Sequence, residues 1–225
     1  MSLNRRQALL ATAGLVAVAD LARGGRSALA VPRAPVLRGI AMHGEPGSDP
    51  DAIHRRYTRV DAPKGGRLVQ GVLGTFDTLN PFVVRGLAVP GARQFLHETL
   101  LQRSYDEPFS LYPQIAAGLE VPEDRDWIIF HLDPRARFSD GRPITARDVL
   151  FSWELLRDHG RPNHRSYYRK VARAEALDDR TVRFDLTGAQ DREMPLILGL
   201  MPILPAHAID TARFEETTLA PIPGS

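Results

Sequence analysis

Seven histidines, His43, His54, His97, His131, His159, His164 and His207, are the side chains best suited to moving protons or holding a metal near neutral pH. They are spread along the chain and form no dense ligand cluster. His97-Glu98 begins the His-Glu-x-x-His pattern of zinc proteases, but position 101 is Leu101, so the second ligand is missing; His97 then reads as a helix-surface histidine. Asp106-Glu107, Glu123-Asp124, Asp178-Asp179 and Glu215-Glu216 are adjacent acidic pairs. Paired carboxylates do acid–base chemistry only when a pocket holds them a few ångströms apart, and solvated loop charge is the better reading of all four. No Gly-x-Ser-x-Gly nucleophile elbow occurs. Pro63-Lys64-Gly65-Gly66 places its lysine before the glycines and lacks the spacing of a phosphate loop. The chain has no cysteine, which excludes disulfides, thiolate metal sites, a cysteine nucleophile and a lipid-modified cysteine anchor. Nothing in this inventory supports an enzyme, a metal or a cofactor.

The elements that would position these residues are legible in places. Residues 31–66 are rich in Pro, Gly, Asp and Arg and read as an extended N-terminal arm ending in a turn at Asp61 to Gly66. The pattern of Arg67 to Leu73 predicts a strand running into Gly74 to Phe82. Phe95, Leu96, Thr99 and Leu100 stand near helical spacing and predict a helix over 92–102, with loop from Tyr105 to Pro113. Ile115 to Val121 is a short segment before a turn at Pro122 to Arg125. Trp127 to Leu132 is an apolar, β-rich run, a strand buried on both faces.

The segment Phe138-Ser139-Asp140-Gly141-Arg142-Pro143-Ile144-Thr145-Ala146-Arg147-Asp148-Val149-Leu150-Phe151-Ser152-Trp153-Glu154 is the most strongly specified stretch. It predicts a strand end, a tight turn, and a helix with Thr145 as N-cap and Asp148 as an aspartate capping box. Val149, Trp153 and Leu156 share one face, and Gly160 and Pro162 end the helix. Asp140 and Asp148 are therefore turn and cap residues, and Trp127 and Trp153 core. Val171 to Leu186 predicts a hairpin joined at Asp178-Asp179-Arg180, with Val182, Phe184 and Leu186 inward. A short helix within 191–200, an extended Pro202 to Pro205 and a helical turn at 206–209 follow. Residues 220–225 read as a loop that closes nothing.

Composition bounds the function class. Of 225 residues, 43% are hydrophobic and 25% charged, as in an ordinary globular chain of one or two domains. Residues 1–30 have the form of a secretory leader: Arg5-Arg6, an apolar run from Ala8 to Ala19 too short to span a bilayer, and Ala28-Leu29-Ala30 as a cleavage site. Asn4 to Leu10 also partly fits a twin-arginine export motif. The formal charge of +2 comes from this leader, which carries four arginines against Asp20 alone. Without it the chain is near neutral, which argues against nucleic-acid binding.

Phe138 to Glu154 resembles a signature of the family 5 extracellular solute-binding proteins, the periplasmic components of peptide- and nickel-type ABC importers. Trp127 to Leu132 with Ala136-Arg137-Phe138, Leu79-Asn80-Pro81 and the 175–182 hairpin resemble further elements of that family. His43-Gly44-Glu45-Pro46, Asp61 to Gly66, Gly74 to Phe82 and Arg192-Glu193-Met194-Pro195 resemble the subgroup that includes microcin C and oligopeptide importers' binding proteins.

The resemblance implies an α/β (α+β) fold: residues 67–225 as part of lobe I of a two-lobed periplasmic binding protein of type II, with the second lobe absent. It implies a periplasmic monomer cleaved after Ala30, with a peptide or peptide-like ligand, an ABC permease in the inner membrane as partner, and no nucleic acid. Family members are longer, and Pro223-Gly224-Ser225 resembles the start of the family's Gly-Ser-Gly-Pro-Tyr motif, so the chain reads as an N-terminal fragment of marginal stability. Thr75, Phe76 and Asp77 would lie at the cleft, with Asp77 able to meet a cationic group and Phe76 to supply an apolar wall. The alternative for these two residues is a turn at Asp77 and a core position for Phe76. For the whole chain the alternatives are a non-functional truncated relic and a periplasmic hydrolase.

Overall fold

The computed structural model describes residues 34–47, 54–188 and 191–225; the leader expected over 1–30 lies outside them. Two antiparallel sheets carry the fold. The first joins β1 (Ile40–Ala41), β2 (Leu101–Arg103) and β3 (Ser110–Pro113) in the order β1-β3-β2. The second joins β4 (Ala116–Glu120), β5 (Trp127–Leu132), β6 (Val171–Asp178) and β7 (Thr181–Leu186) in the order β4-β5-β7-β6.

The second sheet is the scaffold. β5 lies between β4 and β7, and Trp127 to Phe130 and Leu132 are all buried, as the unbroken apolar run requires. The β6–β7 hairpin turns where Arg180 N–H donates to Asp178 Oδ1 at 2.7 Å. Val182 and Phe184 face the core, while Arg183 pairs with Asp185 on the wetter face.

Helix α2 (Ala146–His159) packs on this hairpin, and its start is tied there by Ala146 N–H donating to the Asp179 carbonyl at 2.8 Å. The capping box forms: Thr145 N–H and Oγ1–H both donate to Asp148 Oδ2, at 3.0 and 2.7 Å. Trp153 packs edge-on against Phe184 and donates from Nε1 to the Tyr168 carbonyl at 3.1 Å. Pro162, read as a terminator, also opens a second helix, α3 (Pro162–Tyr168), because proline suits the first helical turn.

Three expectations fail. The helix at 92–102 stops early: α1 covers Ala92–Leu96, His97 is extended, and β2 begins at Leu101. Leu100 and Leu101 are both fully buried, and from Leu101 onward the chain is extended and paired with β3. The loop expected over 105–113 contains β3, whose Leu111 and Tyr112 are buried between β1 and β2. Residues 67–73 pair with no strand among the described residues, and Leu68, Val69, Val72 and Leu73 are exposed.

The arm residues 34–47 thread both sheets. Leu37 pairs with Leu119 of β4 through reciprocal backbone bonds of 2.7 and 2.9 Å, and Ile40–Ala41 pair with β3. Helix α4 (Met194–Gly199) follows the hairpin, then the buried extended run Met201 to Pro205. The loop at 220–225 does not hang free: Ser139 N–H donates to the Gly224 carbonyl at 2.8 Å, and Glu98 N–H donates to Ser225 Oγ at 2.7 Å.

Candidate functional site

Thr75, Phe76 and Asp77 are all exposed. Asp77 closes a loop: its N–H donates to the Leu87 carbonyl at 3.0 Å, and Leu87 N–H donates back to Asp77 Oδ1 at 2.6 Å. Gly86 sits at φ 84°, and a side chain there would collide with that same oxygen. One carboxylate oxygen of Asp77 is thus committed to backbone. Phe76 is 47% exposed, so the core alternative for it fails. Next in the chain, Thr78 and Asn80 are buried: Asn80 accepts from Phe82 N–H at 3.0 Å and donates to the Phe214 carbonyl at 2.9 Å. These two hold the backbone from which the 75–77 segment projects.

A cavity of about 390 Å³ opens elsewhere, and none of the three residues lines it. Its apolar walls come from Leu111 of β3 and from Leu196, Ile197 and Leu200 in and after α4. His164, Tyr167 and Tyr168 of α3 also line it. Arg93 from α1, Arg103 from β2 and Glu193 at the α4 N-cap are exposed side chains on its lining.

His164 is 4% exposed, and among the described residues neither ring nitrogen has a hydrogen-bond partner. Its ring stacks on Tyr168 with 5.7 Å between centroids and 4° between planes. Burial, reinforced by the positive charges of Arg93 and Arg161, lowers its pKa to about 4. The imidazole is neutral at pH 7 and holds one unused donor and one unused acceptor. Burial pushes the Tyr168 phenol upward, so it stays protonated. His97 is likewise not the surface histidine expected. It is 5% exposed, packs edge-on against Phe82 at 4.9 Å, and burial lowers its pKa to about 4.

Asp140 and Asp148 are turn and cap residues, as read. Arg142 N–H donates to Asp140 Oδ1 at 3.0 Å, while its Oδ2 meets His207 Nε2 at 2.6 Å. Among the described residues no group of three His, Asp or Glu side chains could hold a metal ion. Nor is any helix there long and apolar enough to cross a membrane. Sequence reasoning missed the cavity. The signal available was a histidine beside two tyrosines on a Pro-initiated helix; its partners on α1, β2 and α4 are distant in sequence.

This scaffold of hairpin, capped helix and short sheet has known counterparts. The sequence profile of the bacterial extracellular solute-binding proteins, family 5, matches residues 110–225, and the chain belongs to that family. Members are binding proteins.

The peptidoglycan-binding protein YepA of Agrobacterium fabrum is 46% identical over 197 residues, covering 84% of this chain and 32% of its own length. A second protein of that organism, named "Probable peptide-binding protein YejA", is 35% identical over 170 residues, 76% of this chain and 27% of its own. The chain spans between about a quarter and a third of the length of these relatives. Among solved structures, the oligopeptide-binding protein AppA of Bacillus subtilis, in complex with a nonapeptide, superposes with a TM-score of 0.51 at 20% identity. That match covers 64% of this chain and 29% of AppA, and it shows a shared fold.

Proposed function

We propose that the chain serves in the periplasm as part of the solute-binding component of an ABC importer for oligopeptides or peptide-like compounds, delivering them to a permease in the inner membrane. Membership in family 5 supports the class, and the relatives' names support peptide or peptidoglycan-derived solutes. The observation that carries the reading onto this chain's own residues is the open cavity between β3, α3 and α4, with apolar walls, charged residues in its lining and a buried, unpartnered His164. A concave apolar pocket with few convergent polar groups is how small-ligand sites are built. The exposed Thr75–Asp77 segment is a second contact surface, with Phe76 supplying apolar area and Asp77 its uncommitted carboxylate oxygen. The secretory form of residues 1–30 supports export, with cleavage after Ala30.

The test is a thermal-shift screen of the full chain against di- to tetrapeptides, including peptidoglycan-derived ones. Any ligand bound only by the native state raises the melting temperature in a concentration-dependent way. Saturable stabilisation by part of the library is expected; a flat response across all members would overturn the reading.

A further inference from the structure

The cavity lining brings two arginines, Arg93 and Arg103, together with a buried histidine, His164. Some arginines elsewhere are neutralised by a partner: Arg135 pairs with Asp133, Arg157 with Asp158, Arg173 with Glu175 and Arg183 with Asp185. The side chains of Arg93 and Arg103 make no hydrogen bond or ion pair among the described residues, and both line the cavity. Arg93 also stands close enough to His164 and Tyr168 for its charge to act on both.

His164 adds a donor that the fold leaves unused. A buried imidazole without partners carries an uncompensated desolvation cost that a bound acceptor would relieve. Nδ1 lies beside Gly160, where an added Cβ would come within 3.0 Å of it, and Nε2 is the ring's other nitrogen without a partner. Glu193, on the α4 side, repels a second anion and so sets the direction in which a charged solute lies.

We propose that this cavity takes solutes joining a carboxylate to an apolar body of one or two amino-acid side chains, with Arg93 and Arg103 binding the carboxylate and His164 Nε2 donating to the solute. The proposal rests on the solute-binding reading and goes further by naming the charge and shape of the solute. The apolar body packs on Leu111, Leu196 and Ile197, and about 390 Å³ accommodates it. A planar guanidinium holds a carboxylate through two parallel bonds, so two of them in one lining discriminate an acid from its neutral amide.

The experiment is an NMR titration of the full 225-residue chain with N-acetyl-L-leucyl-L-phenylalanine and with its C-terminal amide. The acid is expected to shift the amide resonances of Leu196 and Ile197 and the His164 ring saturably, with the C-terminal amide at least tenfold weaker. The Arg93→Ala/Arg103→Ala variant changes only exposed side chains, so it keeps its melting temperature and should lose the discrimination. His164→Phe should weaken the acid several-fold, and His164→Gln, which keeps a donor, should weaken it less. Equal affinity for acid and amide, or discrimination surviving in the double arginine variant, overturns this proposal alone. Failure of both probes together with the whole peptide library overturns it along with the reading beneath it.

Discussion

His97 and His164 are buried, and burial holds both pKa values near 4, below the ordinary value of 6.5. Each is neutral in native and unfolded chain alike above that ordinary value. As pH falls from 6.5 toward 4, the unfolded chain takes protons that the native chain refuses, so stability drops across that window. A depression of this size corresponds to roughly 3 kcal/mol for each histidine at the acid end. The charged groups acting on His164, Arg93 and Arg161, are cations from α1 and the α3 N-cap and deepen the effect. His97 faces the ring of Phe82, and desolvation alone lowers it. Urea denaturation at pH 7 and pH 4.5 should show a smaller pH loss in His97→Phe than in the parent chain; an identical loss would refute the assignment. Neither burial was legible in the sequence, because local spacing placed His97 on a helix surface. The same limit applies to Asp140, whose turn role follows from Ser139-Asp140-Gly141 while its contact with His207 joins residues far apart in the chain.

Where local chemistry and packing agree, elements were legible; where packing overrides propensity, they were not. Helix α2 carries its own cap, stripe and stop, and the β6–β7 hairpin its own turn and alternation, so both form as read. The 92–102 stretch keeps its helix only over Ala92–Leu96; from Leu101 pairing with β3 overrides the helical spacing, and Leu100 and Leu101 are fully buried. The α2 cap also does more than end a helix. Asp148 Oδ1 accepts from Ala206 N–H at 3.2 Å, and Ser152 Oγ accepts from Leu204 N–H at 2.7 Å while donating to the Asp148 carbonyl at 2.6 Å. The buried run Met201 to Pro205 is thereby fixed to α2. Asp148→Ala removes the cap and leaves the Ala206 N–H without its acceptor, with an expected loss of about 2–3 kcal/mol. Arg142→Ala, an exposed change that leaves the Asp140 turn's backbone bond in place, should cost less than about 0.5 kcal/mol. Chemical denaturation of both variants checks the contrast, and comparable losses would show that the cap does not anchor the 201–206 run.

Across the whole molecule, the two sheets, α2 and the arm bury one continuous core, yet one apolar segment stays outside it. Leu68, Val69, Val72 and Leu73 are 81%, 76%, 62% and 102% exposed, and Leu87 and Phe95 add to the exposed apolar surface. The apolar pattern that predicts a strand here is present, but no strand among the described residues takes its N–H and C=O groups. An extended, apolar, unpaired segment is a template for pairing with a second chain. The formal charge of +2 on 225 residues gives little electrostatic repulsion to oppose association. The full chain should therefore self-associate with rising concentration, and Val69→Lys/Val72→Lys should restore a monomer without altering the melting temperature, because both side chains are already in water. Sedimentation velocity at ten and one hundred micromolar distinguishes the outcomes. Association that persists unchanged in the lysine variant would place the contact on another surface, whereas a monomeric parent chain would show that the exposed segment does not template pairing at all.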